Sequence, residues 1–403
     1  MQPSWSISFL DQHRQDRMSF HGVSYGPHIR SGAGVLEALG AEASGMAGQG
    51  APILLVADSG LKPFGIVDRA AESLRKAGLR TAIFAEIAGE PKEEQVEAAR
   101  RLGRSAGAKA VVCLGGGSAL DAGKLAAALL RSDEPVGAFR LADKPLPPKS
   151  MPVICVPTTA GTGSEMTGIS IISDSDQVKY WYWGAPLEAD LALLDPELTL
   201  GLPPRFTAMT GMDALVHAIE AATNRNAGPE SDVAAYQAIR LVTAHLRTAV
   251  HEPENIAARA GMLDASALAG LAIHKAGTAL AHNIGHALGS LAPVPHGLAV
   301  TLAMAATAEW VVEGNRPAFV RVAEAMSLGS NADAVPAAFR QLASDIGLDL
   351  DTKAAAPGLS AETLAHHMAA PENAAMRKSM MREVSNADLL PLAEVTLGLG
   401  RNV

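Results

Sequence analysis

Cysteine is nearly missing from this chain: 403 residues contain two, Cys113 and Cys155, each inside an apolar strand-like run, AVVCL and PVICV. That excludes a disulfide framework and points to small buried hydrophobes in a reduced, cytoplasmic protein. Basic blocks are missing too. With 33 Lys and Arg against 42 Asp and Glu, a formal charge of -9 and no run of five cations, nothing here tracks nucleic-acid phosphates or an anionic membrane. No uncharged apolar run reaches the roughly 18 residues of a membrane span, and the first twenty residues lack the apolar core of a secretory signal. Aromatics are scarce at 4%, and repeats and low-complexity tracts are absent. What remains is 48% hydrophobic with 38 glycines and 24 prolines, a folded composition. At about 150 residues per domain the length allows two or three domains, and two are expected.

The first half alternates strand-like runs with helical stretches. APILLVAD (51–58), TAIFAEI (81–87), AKAVVCL (108–114) and MPVICVPTT (151–159) read as strands, the last closing the series. Helix-length segments between them imply βαβ units, a parallel sheet and a ligand site at its carboxyl end. Beyond about residue 200, Ala, Leu, Met and His at helical spacing take over. The expected architecture is an α/β domain (1–200) followed by an all-α domain (201–403). The hinge falls near 195–207, where Pro196, Pro203 and Pro204 interrupt regular structure.

Two loops carry phosphate-binding chemistry. In LGGGSALDAGK (114–124) a strand runs through three glycines and a serine into a helix, presenting free N–H groups and a positive helix end to an anion. It is neither a GxGxxG fingerprint, since Leu120 stands where the third Gly belongs, nor a Walker loop. The plain alternative is a turn with the serine as N-cap. VPTTAGTGSEMT (156–167) sets Thr158, Thr159, Thr162 and Ser164 between glycines, as a ligand cradle needs. Asp58 ends a strand, where its carboxylate can accept from ribose hydroxyls and repel a 2′-phosphate, or simply cap a turn.

The sharpest constellation lies in the second half. In GMDALVHAIE (211–220), Asp213 and His217 are four apart and share a helix face. In ALAHNIGHALGSLAPVPHG, His282 and His286 have the same spacing, and His296 follows a Pro-containing turn. One carboxylate and three imidazoles suit a divalent first-row metal with a position open to substrate, and spacing alone leaves His282 or His286 as the third ligand. The other histidines lack such partners; His366 and His367 point about 100° apart and read as solvated. Trp181, Tyr182 and Trp183 read as core, with a pocket wall as the alternative.

Taken in order, ADSGL, GGGSALDAGK, PTTAGTGSEMT, DPELT, TGMDALVHAIEA and HNIGHALG through PHG resemble the iron-containing (group III) alcohol dehydrogenases over most of the chain. The resemblance implies a dehydroquinate synthase-like fold and hydride transfer between NAD(H) and a small alcohol or aldehyde, with Fe(II) or Zn(II) polarising the substrate oxygen. It implies Asp213, His217, His282 and His296 as metal ligands and His286 as a proton relay beside them. It implies cofactor contacts from Asp58, Gly116, Gly117, Ser118, Asp121, Thr158, Thr159, Thr162 and Lys179, and a homodimer or larger assembly. The chain departs from the pattern at Gly123 (usually Ala), at Ala189 (commonly Pro) and at SNAD (385–388), which replaces an NPR segment. A related metal-dependent lyase that recycles NAD is the competing reading, disfavoured by Asp213 where a glutamate is expected. A non-catalytic metal- or nucleotide-binding protein is the third.

Overall fold

The computed structural model describes residues 26–400. The reading of the first twenty residues, and His13 and His21, lie outside them.

Eight strands are described: β1 (His28–Ser31), β2 (Pro52–Asp58), β3 (Arg80–Ile87), β4 (Ala110–Gly115), β5 (Val153–Pro157), β6 (Ile169–Ser173), β7 (Lys179–Trp183) and β8 (Leu191–Leu194). Six of them form one parallel sheet in the order β1-β8-β5-β4-β2-β3. The helices α1 (Leu39–Ala47), α2 (Ile66–Lys76), α3 (Glu93–Ala106) and α4 (Gly117–Leu129) cover its faces. The central strands are apolar throughout because both faces are buried, as in PILLVAD and AVVCLG.

The sheet does not close at β5, as its apolar runs implied. It continues through β8 and then β1. Both are four residues long, and β1 is exposed at every position, so neither carries a periodic signal strong enough to read. The strands β6 and β7 stand outside the sheet as an antiparallel hairpin, pairing Ile171 with Trp181 and Ser173 with Lys179. Alternation sets the hairpin's two faces: Tyr182 is buried in the sheet-side core and Tyr180 packs against it.

From Pro204 onward the structure is helical, with α5 (Pro204–Thr223), α6 (Pro229–His251), α7 (Ile256–Ala276), α8 (Leu280–Leu291) and α9 (His296–Gly314) followed by shorter helices to Gly398. Pro204 opens α5, where a missing N–H costs nothing. Ala, Leu, Val and Met from these helices make one continuous core. By length and composition α7 could cross a membrane, yet 67% of its most apolar window is buried, and it packs against α5 and α6.

Candidate active site

The strand order reverses between β2 and β4, and a parallel sheet opens a crevice at such a switch point. Asp58 ends β2 there, and a Cβ on Gly115 at the end of β4 would stand 3.0 Å from its Cβ. The Asp58 Oδ1 accepts from the Gly60 N–H at 2.7 Å, so the carboxylate caps a turn at the mouth of the crevice. Gly116, not Ser118, is the N-cap of α4, and no side chain caps it, which leaves the helix entrance to a ligand. The second loop lies directly against the first. A Cβ on Gly117 would meet Thr162 Cγ2 at 2.7 Å, and one on Gly116 would meet Thr159 at 3.4 Å. Only glycine lets the threonine loop come this close.

Thr158 is buried, and its N–H donates to the Gly115 carbonyl at 2.9 Å. Asp121 is held inside the protein. Its Oδ1 accepts from the Ser164 hydroxyl and its Oδ2 from the Ile171 N–H at 2.9 Å, while burial pushes its carboxyl up. Sequence reasoning passed over Lys124. It is fully buried and donates to the carbonyls of Ser164, Thr167 and Ile169, at 2.8, 3.2 and 2.6 Å. Asp121 and Lys124 thus fasten the β6–β7 hairpin to α4, and the last strand of that hairpin begins with Lys179. Its ammonium pairs with Glu90 at 2.9 Å and reaches Gly289 of α8, so the hairpin touches the helical half.

Three imidazoles meet one carboxylate oxygen. Nε2 of His217, His282 and His296 lie 3.8, 3.6 and 3.7 Å from Asp213 Oδ1. Asp213, His217 and His282 are the compact part, with ligand atoms all within 4.8 Å of one another, and His296 joins from the more open first turn of α9. Two ligand atoms across an ion stand at most about 4.2 Å apart when each bond is about 2.1 Å, so these separations suit a shared ion. The polar accounting agrees: Asp213 Oδ1 and His282 Nε2 are buried without a hydrogen-bond partner, a costly arrangement that a cation relieves.

The rings are aimed from behind. His217 Nδ1 faces the Gly161 carbonyl at 3.3 Å, and because a carbonyl only accepts, Nδ1 carries the proton and Nε2 its lone pair. His282 Nδ1 faces Glu220 Oε2 at 2.6 Å in the same sense. Glu220 is buried and also accepts from the N–H groups of Ala279 and Ala281, at 2.7 and 2.6 Å. It is the supporting carboxylate that metal-binding histidines usually have. Its signal was present, seven residues after Asp213 on the same helix face, but its partner lies on another helix.

Burial would raise Asp213, yet the neighbouring imidazoles outweigh it and hold the carboxyl well below the usual range. Burial holds His217 near 4. In His282 burial opposes the charge, but Glu220 and Asp213 lift it to about 9. His286 lies among these rings, its centroid 6.3 Å from that of His282 and 5.2 Å from that of His296, and burial keeps it well below its ordinary value. It stacks on Trp181 at 5.3 Å with the planes 14° apart. The aromatic cluster is therefore divided: Tyr182 is core as expected, Trp183 is exposed, and Trp181 faces the histidines. Elsewhere His274 Nδ1 accepts from the Gly168 N–H, and the rings of His366 and His367 meet edge-on at 6.1 Å.

A Gly-rich crevice at a sheet's switch point, with a buried carboxylate–histidine cluster on the helices, is the arrangement of a metal-dependent enzyme that uses a dinucleotide. The comparisons with known proteins agree. The model for iron-containing alcohol dehydrogenase matches residues 26–196, and the model for the C-terminal part of the Fe-containing alcohol dehydrogenase family matches residues 207–392. The chain belongs to the iron-containing alcohol dehydrogenase family. It is 36% identical to the sulfoacetaldehyde reductase of Bilophila wadsworthia over 326 residues, 78% of this chain and 84% of that one. It is 36% identical to the 1,3-propanediol dehydrogenase of Klebsiella pneumoniae over 314 residues, 74% of this chain and 80% of the relative. Among solved structures it resembles the sulfoacetaldehyde reductase of Bifidobacterium kashiwanohense in complex with NAD+, with a TM-score of 0.85 at 27% identity, covering 94% and 99% of the two chains.

Proposed function

We propose that this enzyme transfers a hydride between NAD(H) and a small alcohol or aldehyde in the crevice between an α/β unit, residues 1–200, and a helical unit, residues 201–403. The observation that carries the reading is the convergence of three imidazoles on Asp213 Oδ1, with His217 against the Gly161 carbonyl of the threonine-bearing loop. Asp213, His217, His282 and His296 would hold Fe(II) or Zn(II), which when bound acts as a Lewis acid on the substrate oxygen.

The chain's own groups do the rest. Gly116, Gly117 and Ser118 offer the entrance of α4 to the cofactor's pyrophosphate, with Thr158, Thr159 and Thr162 beside them. Asp58 is placed to receive the ribose hydroxyls and disfavour a 2′-phosphate. Lys179 completes the cofactor side, and Asp121, expected there too, supports it from behind through Ser164 and the Ile171 N–H. Glu220 and the Gly161 carbonyl keep two ligand lone pairs forward. Burial keeps His286 neutral beside the His282 and His296 rings, where it is placed to take up the alcohol's proton.

The relatives named for sulfoacetaldehyde and 1,3-propanediol support a short substrate, and the structural neighbour with NAD+ supports that cofactor. Free thiols at Cys113 and Cys155 support a reducing cytoplasm. Among the described residues the edge strand β1 is exposed at every position, which supports a homodimer, since such an edge invites pairing. The test is NADH oxidation by metal-reconstituted enzyme over short aldehydes with neutral and anionic tails. Turnover that a chelator abolishes and Fe(II) or Zn(II) restores is expected, and no hydride transfer to any aldehyde would overturn the assignment.

A further inference from the structure

The hairpin decides which of its aromatics faces the histidines, a choice the sequence left between core and pocket wall. Lys179 and Trp181 alternate with Tyr180 and Tyr182 along β7, and where the tyrosines turn to the sheet-side core, Lys179 and Trp181 turn to the histidine-bearing helices. The indole of Trp181 lies flat on His286, 5.3 Å between centroids with the planes 14° apart. Its Nε1 is buried without a hydrogen-bond partner, as is His286 Nε2. Lys179 is already engaged by Glu90 at 2.9 Å, so the unsatisfied donor on this face is the indole N–H. A buried donor without an acceptor is costly, and an active site is where a substrate atom can meet that need.

We propose that Trp181 is a specificity-determining residue. Its ring walls the substrate space beside His286 and limits chain length, and its N–H donates to an oxygen on the tail of a short aldehyde or alcohol. This inference rests on the dehydrogenase reading and narrows its substrate class to short chains bearing a hydroxyl or carboxylate oxygen.

Length-matched pairs test it: propanal against 3-hydroxypropanal, and butanal against succinic semialdehyde, with hexanal for chain length. Metal content and NADH affinity are measured on each protein alongside kcat/KM. Trp181→Phe keeps the stacked ring but loses the donor. The preference for the tailed member of a pair is expected to fall about tenfold, one hydrogen bond's worth, with metal and NADH retained. A loss confined to the hydroxyl pair assigns a neutral tail, and one confined to the carboxylate pair an anionic tail. Trp181→Ala removes the wall, and hexanal is expected to gain about tenfold over propanal. If both variants keep the parent's selectivity, or if Trp181→Ala sheds the metal, the role is overturned while the dehydrogenase assignment stands. If the unaltered enzyme reduces none of these aldehydes, both fall together.

Discussion

At the scale of single residues, the site depends on groups whose partners come from elsewhere in the chain. Glu220 is the clearest case, since it holds His282 by Nδ1 and two backbone N–H groups besides. Glu220→Gln is expected to weaken metal retention about 10- to 100-fold, as loss of such a supporting partner does, and chelator competition measures it. Unchanged affinity would remove Glu220 from the site's support. Glu165 offers a second case. It is buried, its Oε1 lacks a partner, and burial pushes its carboxyl from 4.5 up to about 7. Between those values the folded chain binds more protons than the unfolded one, so this group's contribution to stability falls as pH rises from 4.5 through 7. Glu165→Gln removes the titration. The variant is expected to gain on the parent between pH 5 and pH 8 by on the order of 3 kcal/mol, read as a growing difference in melting temperature. A constant difference across that range would reject the role. Asp213 with His217, and His282 with His286, could be paired from the sequence because the spacing within a helix is local information, but spacing did not choose between His282 and His286 or bring His296 to them across its turn. Glu165 could not be picked out, because a polar loop gives no sign of which member faces inward.

At the scale of elements, α4 does more than offer its N-terminus. Lys124 and Asp121 tie it to the β6–β7 hairpin, and Gly123 seats it on β4, where an added Cβ would stand 2.4 Å from Cys113 Sγ. The departure at Gly123 from the family's usual Ala thus has a packing reason in this chain. Gly123→Ala is expected to cost about 1–3 kcal/mol through overpacking, seen as a lower midpoint in denaturant. Adding Cys113→Ala should restore most of it, and failure of that rescue would place the strain elsewhere. The strands β2, β4 and β5 were legible because burial on both faces writes a continuous apolar run, and β3 by its β-branched and aromatic residues. The edge strand β1 and the short β8 were not, and Trp181 to Trp183 was left between core and pocket wall because KYWYW carries large aromatics on both faces.

At the scale of the whole molecule, two halves bring different chemistry to one crevice. The glycine- and threonine-rich loops belong to the sheet, whereas the carboxylate–histidine cluster belongs to α5, α8 and α9. His282→Ala is therefore expected to lose metal and turnover together while NADH affinity changes less than about threefold, under 1 kcal/mol. Equilibrium titration of metal-free variant and parent checks this, and a large loss of affinity would show that the two sites are coupled.

The sequence by itself determined the α/β-then-helical order, the two phosphate-type loops and the helix faces carrying Asp213, His217, His282 and His286. Each of these is written in short-range periodicity or in strand-to-helix turns. Only the tertiary structure decided which groups meet across the chain: three Nε2 atoms around Asp213 Oδ1, Glu220 behind His282, and Trp181 against His286. Such meetings depend on how helices and hairpin pack, and packing is set by the whole core, not by the spacing within any one segment.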